Sequence, residues 1–272
     1  MTSPARTDGA GAVLVEACVD SVESSMAAER GGAGRLELCD ALFDGGTTPS
    51  AGMIEACRAA VSIPVFVIIR PRGGGFVYSD IELDVMRRDI VAARELGADG
   101  VVIGALHADG TVHGPQTRSL VEAAGTLPVT FHRAFDFAPD LEQALDAVIA
   151  AGVGRVLTSG GAATAREGIP VLASLVGRAG DRAVVMAGGT IREENIGEIV
   201  AGTGVREVHV RLTRLTRGGG GPMRPGVRVR KALPDDEAAW EETDEVRVRH
   251  LLEALGRRSK TLSSRAPARD LV

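Results

Sequence analysis

The sequence predicts a single (βα)8 TIM barrel, and three observations carry that expectation. Short β-branched runs alternate with amphipathic stretches eight times within about 250 residues. The turns that lead from helix into strand recur with a two-strand period. The chain also has 272 residues, 44% of them hydrophobic, enough to close one sizeable core without metal or disulfide staples. A doubly wound open sheet is the competing arrangement. Barrel interiors, however, are filled in layers by alternate strands, so a two-strand period fits a closed ring better.

Taken in order, the strands are expected at Val13 to Cys18, Arg35 to Cys39, Pro64 to Arg70, Gly100 to Ala105, Pro128 to Arg133, Arg155 to Ser159, Ala183 to Met186 and Arg206 to Arg211, each a short run bounded by turn residues. Helical periodicity fills the gaps at Ser21 to Gly31, Pro49 to Val61, Asp80 to Leu96, Gln116 to Ala124, Pro139 to Ala150, Ala165 to Ala179 and Arg192 to Ala201, and a last helix is expected at Asp244 to Leu255. Thr48-Pro49-Ser50 places a capping hydroxyl before a proline at a first helical position, and Gly31, Gly97, Gly152 and Gly202 stand where helices stop. Gly-containing turns (Gly32-Ala33-Gly34, Gly97-Ala98-Asp99, Gly152-Val153-Gly154, Gly202-Thr203-Gly204) precede strands two, four, six and eight, whereas Pro64 and Pro128 open strands three and five.

The barrel domain is bounded at residues 13–256. Residues 1–12 are small and polar, residues 257–272 form a basic, Ser-rich tail, and both are expected to be disordered. Between strand eight and the last helix lies a long irregular loop that includes Gly218 to Gly221. Loops of that length usually serve as lids or contacts, or are disordered.

Charge and composition narrow the partners. Lys plus Arg is 31 against 36 Asp plus Glu, a formal net charge of -5, so nothing draws the chain globally to nucleic acid or to anionic lipid. There is no apolar run long enough to span a bilayer and no leader-like start, which excludes a membrane partner at this level. Three cysteines are an odd count, which favours free thiols in a reducing compartment, the cytoplasm.

Side chains two apart on a strand share a face, and this fold places its sites at the C-terminal rim. Strand one carries Glu16 and Cys18, and strand two repeats the pattern with Glu37 and Cys39. Neighbouring strands lie about 4.8 Å apart, so two inward thiols at similar heights reach one soft ion, and thiolates select Cu(I) or zinc. Cys57, on the helix after strand two, reads as packing. Arg70 ends strand three, and with Arg72 it offers guanidinium forks to a carboxylate or phosphate. An ion pair of Arg70 with Glu37 is the alternative. His132, in Thr130-Phe131-His132-Arg133-Ala134-Phe135-Asp136, and His209 on strand eight are imidazoles at the rim, suited to acid, base or ligand roles or to a satisfied place in the interior. Ser159-Gly160 after strand six and Gly188-Gly189 after strand seven put bare amides at helix starts, where anions bind. Two functional classes follow. One is a soft-metal site at Cys18 and Cys39. The other is an enzyme acting on a small anionic, phosphorylated or sugar-derived metabolite, with Glu16, Glu37, Arg70 and His132 as its catalytic set and Arg72, Ser159, Gly160, Gly188 and Gly189 holding the anion. No organic cofactor motif is evident.

The chain resembles the CutC family of copper homeostasis proteins in Glu16-Ala17-Cys18-Val19-Asp20-Ser21, Arg35-Leu36-Glu37-Leu38-Cys39, Gly45-Gly46-Thr47-Thr48-Pro49-Ser50, Arg70-Pro71-Arg72-Gly73-Gly74, Thr130 to Asp136 and Leu157-Thr158-Ser159-Gly160. The resemblance implies a cytoplasmic (βα)8 barrel, a homo-oligomer (dimer or tetramer) and a Cu(I) site at Cys18 and Cys39. It weakens after strand eight, where Val210-Arg211-Leu212-Thr213 follows His209 in place of the family's small hydroxyl residues.

Overall fold

In the computed structural model, which describes residues 13–218 and 238–263, eight parallel strands close into a barrel in chain order. They are β1 (Leu14–Val19), β2 (Arg35–Leu38), β3 (Val65–Ile68), β4 (Gly100–Ile103), β5 (Val129–Phe131), β6 (Arg155–Thr158), β7 (Val184–Ala187) and β8 (Glu207–Val210). The helices between them are α1 (Val22–Gly31), α2 (Ala51–Ala60), α3 (Asp80–Glu95), α4 (Gly114–Ala124), α5 (Leu141–Ala150), α6 (Ile169–Ala179) and α7 (Ile196–Thr203). β1 pairs with β8 as well as with β2, which closes the ring. The doubly wound alternative is therefore excluded.

Alternation along each strand divides the core in two. Val15, Ala17, Leu36, Leu38, Val65, Val67, Val101 and Ile103 point outward into the layer beneath the helices. Opposite them, Cys18, Cys39, Phe66, Ile68 and Val102 cluster within the ring. Below that cluster the interior is charged. Arg35 pairs with both Glu16 and Glu207, Arg155 pairs with Glu207 at 2.7 Å, and both guanidiniums lie over the Phe66 ring. Each of these side chains is buried or nearly so, and each charge has an opposite charge beside it, as a buried charge requires.

Local signals account for the helix starts. Ser21 is extended and its hydroxyl accepts from the Ser24 amide at 3.1 Å, capping α1. At the other end, Gly32 adopts φ 99, so the chain leaves α1 through a left-handed turn open to glycine. Ser21→Ala is expected to lower stability by about 1 kcal/mol, read as a lower urea midpoint with an unchanged slope. One cap differs from expectation. Ser50, not Thr48, caps α2, because the Thr48 hydroxyl accepts from the Arg70 amide at 3.0 Å and ties the β2 and β3 loops together.

Two boundaries need correction. The loop after β8 is not irregular throughout. It leaves through β9 (Thr213–Arg217) and returns through β10 (Ala239–Thr243), which pair antiparallel, while residues 219–237 lie outside the described residues. The last helix, α8 (Glu245–Ser263), continues past residue 256 into the segment expected to be a disordered tail. The first twelve residues and residues 264–272 also lie outside the described part. Among the described residues no helix is long and apolar enough to cross a membrane.

Candidate functional site

A cavity of about 300 Å³ opens at the C-terminal ends of the strands, at the low end of small-molecule sites. One wall is made of Cys18, Glu37, Cys39 and His209 and the other of the loops after β5 and β7.

The Cys18 and Cys39 Sγ atoms lie 3.8 Å apart as free thiols. The barrel's stagger makes this possible. Cys18 is level with Glu37 in the β1–β2 pairing, so Cys39 stands two residues further along, just past the end of β2, and leans back over the rim. Glu37 completes a cluster whose ligand atoms all lie within 4.8 Å of one another. The pair shares a proton. Donation from Cys39 holds the Cys18 thiol down to about 5 against the cost of burial, with His209 assisting, and the same sharing pushes Cys39 well above the ordinary thiol range. Burial pushes Glu37 up to about 8, with the facing His209 opposing that rise.

His209 sits between the two carboxylates, with Nδ1 at 2.8 Å from Glu16 and Nε2 at 3.6 Å from Glu37. Burial opposes its protonation, but the facing Glu37, Cys18 and Glu16 outweigh burial and hold it well above the ordinary imidazole range. Glu16 itself is fully buried. Burial disfavours its charge, yet the His209 bond and the Arg35 guanidinium bring it down to about 2. It does not line the cavity; it pairs with Arg35 and reaches the site through its bond to His209.

The remaining expected residues divide in the same way. His132 lines the cavity at 5% exposure. Its Nδ1 accepts from the Ala134 amide at 3.1 Å, so the neutral ring carries its proton on Nε2. Burial and the nearby Arg70 charge lower it to about 3, so at neutral pH the ring is an uncharged N–H donor. Arg70 does not pair with Glu37. Its guanidinium donates to the carbonyls of Asp44, Gly46 and Gly74 at 2.7 Å each. Arg72 turns outward to Glu82 and to the Gly75 and Val77 carbonyls and does not line the cavity.

The loop after β6 is also corrected as an anion site. The Ser159 and Gly161 amides donate to the Asp136 carboxylate, and the Gly160 amide donates to the Thr158 hydroxyl. Asp136 occupies this cradle because the turn after β5 carries it there, held by Arg133 at 2.8 Å. Gly188 donates to the Thr158 carbonyl. The next residue, Gly189, lines the cavity with φ 108. Sequence reasoning missed Asp136 as the occupant, and it missed Thr190, Ile191 and Arg192. Glycine content marked both loops alike, and only the fold distinguishes the filled one from the open one. Cys57 packs on α2 against the Ser25 hydroxyl, away from the rim. Arg211 lines the cavity and reaches Glu241 of β10 at 2.6 Å.

The CutC family model matches residues 13–213. Copper homeostasis protein cutC homologs are 48% identical over 239 residues in Mus musculus, covering 88% of each chain, and 46% identical over 247 residues in Homo sapiens, covering 90% of each. A solved chain from Streptococcus agalactiae, described as a copper homeostasis protein CutC, superposes with a TM-score of 0.70 at 37% identity, covering 72% of this chain and 97% of that one. With a closed barrel, the paired rim thiols and a family match across the whole ring, the chain belongs to the CutC family.

Proposed function

We propose that the protein binds Cu(I) as cargo through Cys18 and Cys39, with Glu37 alongside, and acts in copper homeostasis in the cytoplasm as a homo-oligomer. The observation that carries the reading is the 3.8 Å separation of the two sulfurs. One ion at a typical metal–sulfur distance of about 2.3 Å reaches both without moving the backbone. Thiolate is the ligand type that selects Cu(I) over hard cations. Glu37 adds a carboxyl oxygen within reach of the same ion.

Anaerobic Cu(I) titration against a competing chelator tests this. Cys18→Ser plus Cys39→Ser is expected to abolish the tight site seen in the wild type. Equal affinity in the two proteins removes the proposal.

A second reading, acid/base chemistry on a small anionic metabolite, is supported by the placement of His209 between Glu16 and Glu37 at the edge of a solvent-reachable cavity. Glu37 and His209 are then the proton-transfer pair, and His132 and Arg70 hold the ligand.

A further inference from the structure

Besides the sulfurs, the cavity lining carries hydrogen-bond donors that lack acceptors among the described residues. Three side-chain N–H groups buried in the lining, His132 Nε2, Arg70 Nε and Arg211 Nε, have no partner among the described residues. His132 and Arg70 are 5% and 4% exposed, so water does not readily compensate them, and a buried donor left unmade is costly. Arg70 donates to carbonyl oxygens and lies over the Phe76 ring at 5.1 Å, and neither it nor Arg192 has a carboxylate partner among the described residues. A cation held inside a protein without a counter-charge favours an anion beside it.

The loop after β7 adds main-chain donors to the same cavity. The amides of Gly189, Thr190 and Ile191 donate to nothing among the described residues, although the Gly188 and Arg192 amides on either side are both satisfied. Gly189 and Thr190 take positive φ in succession, 108 and 53. Threonine rarely adopts such a conformation, and the turn it makes leaves three successive amides without an acceptor among the described residues.

We propose that the barrel mouth binds a small phosphate monoester. Its phosphate rests on the Gly189, Thr190 and Ile191 amides beside Arg192, and its remaining oxygens accept from His132 and Arg70. Three amides in sequence suit the three terminal oxygens of a phosphate better than the two of a carboxylate. The cavity volume of about 300 Å³ suits the body of a small metabolite. The neighbouring β6 cradle supplies an internal precedent, since there the chain's own Asp136 carboxylate fills the same kind of donor set. The site is a binding site in its own right. It stands whether or not the sulfurs carry copper and whether or not the bound molecule is turned over.

The test is calorimetric and thermal titration of the full chain with glycerol 3-phosphate, inorganic phosphate, glycerol and malonate, each against sodium chloride at matched ionic strength. Both phosphates are expected to bind and raise the melting temperature, glycerol to do neither, and malonate to bind more weakly than either phosphate. Arg192→Glu is expected to weaken glycerol 3-phosphate binding at least tenfold. Arg192 is partly exposed, and its side chain bonds only to the adjacent Ile191 carbonyl, so an unchanged circular dichroism spectrum serves as the folding control. Cys18→Ser plus Cys39→Ser is expected to bind the phosphate as the wild type does. Phosphate acting no better than chloride, malonate binding as tightly as phosphate, or Arg192→Glu retaining full affinity overturns the proposal. Loss of phosphate binding in the double cysteine variant moves the ligand onto the sulfurs and also overturns it, whereas failure of copper binding alone leaves it standing.

Discussion

Arg35→Met is expected to destabilise the protein by about 3–5 kcal/mol and to lower its melting temperature by roughly 10 °C. The Arg35 side chain is 4% exposed, touches the Met186 sulfur at 3.3 Å and pairs with two carboxylates, one of which, Glu16, is only 1% exposed. Methionine preserves much of the volume against Phe66, so the loss is chiefly that of the charge. Glu207 keeps Arg155, but Glu16 is left with His209 alone. The pH dependence follows. Glu16 falls from an ordinary 4.5 to about 2 in the folded state, so its stabilising contribution is complete above pH 4.5 and is lost as pH falls toward 2. Without Arg35 the folded-state value rises, so the variant begins to lose stability at a higher pH than the wild type. Urea unfolding at neutral and acid pH checks both statements. A variant within about 1 kcal/mol of wild type would show that the buried network is not what holds the interior of the ring.

Cu(I) affinity is expected to rise about tenfold per pH unit between about pH 6 and pH 8, a hundredfold in all. The slope comes from one proton. Cys18 titrates at about 5 and is already a thiolate across this range, whereas Cys39, held well above the ordinary thiol value by the proton it shares with Cys18, must give that proton up to become a ligand. The sign is fixed, because alkali favours the bound state. The measurement is competition titration at several pH values, with proton release followed in a weakly buffered solution. A release of two protons per ion places both thiols in the protonated state beforehand, and a flat profile removes Cys39 from the ligand set.

The ring was legible because its periodicity is strong. Outward-facing Val15, Ala17, Leu36 and Leu38 alternate with inward Glu16, Cys18, Arg35 and Glu37, and the repeated Glu-x-Cys pattern on β1 and β2 located the thiol pair. The stagger that sets their separation belongs to the closed barrel and has no local signature. Roles within the rim were harder to read for the same reason. Arg70 and Arg72 look equivalent in sequence, yet Arg70 turns into the loop carbonyls and Arg72 turns out to Glu82. His132 and His209 look equivalent as well. One is kept neutral by burial beside Arg70 and the other is held protonated by carboxylates from β1 and β2. Arg35 and Glu207 went unremarked because a charged residue at the start of a strand reads as solvated until the ring closes around it.

Asp136, seated on the amides after β6, has one more consequence. A carboxylate supplied by the chain itself cannot be diluted away, and its local concentration is fixed by the peptide that carries it. That turn is therefore indifferent to the phosphate content of its surroundings, while the next turn around the ring, having no such tether, is free to register it.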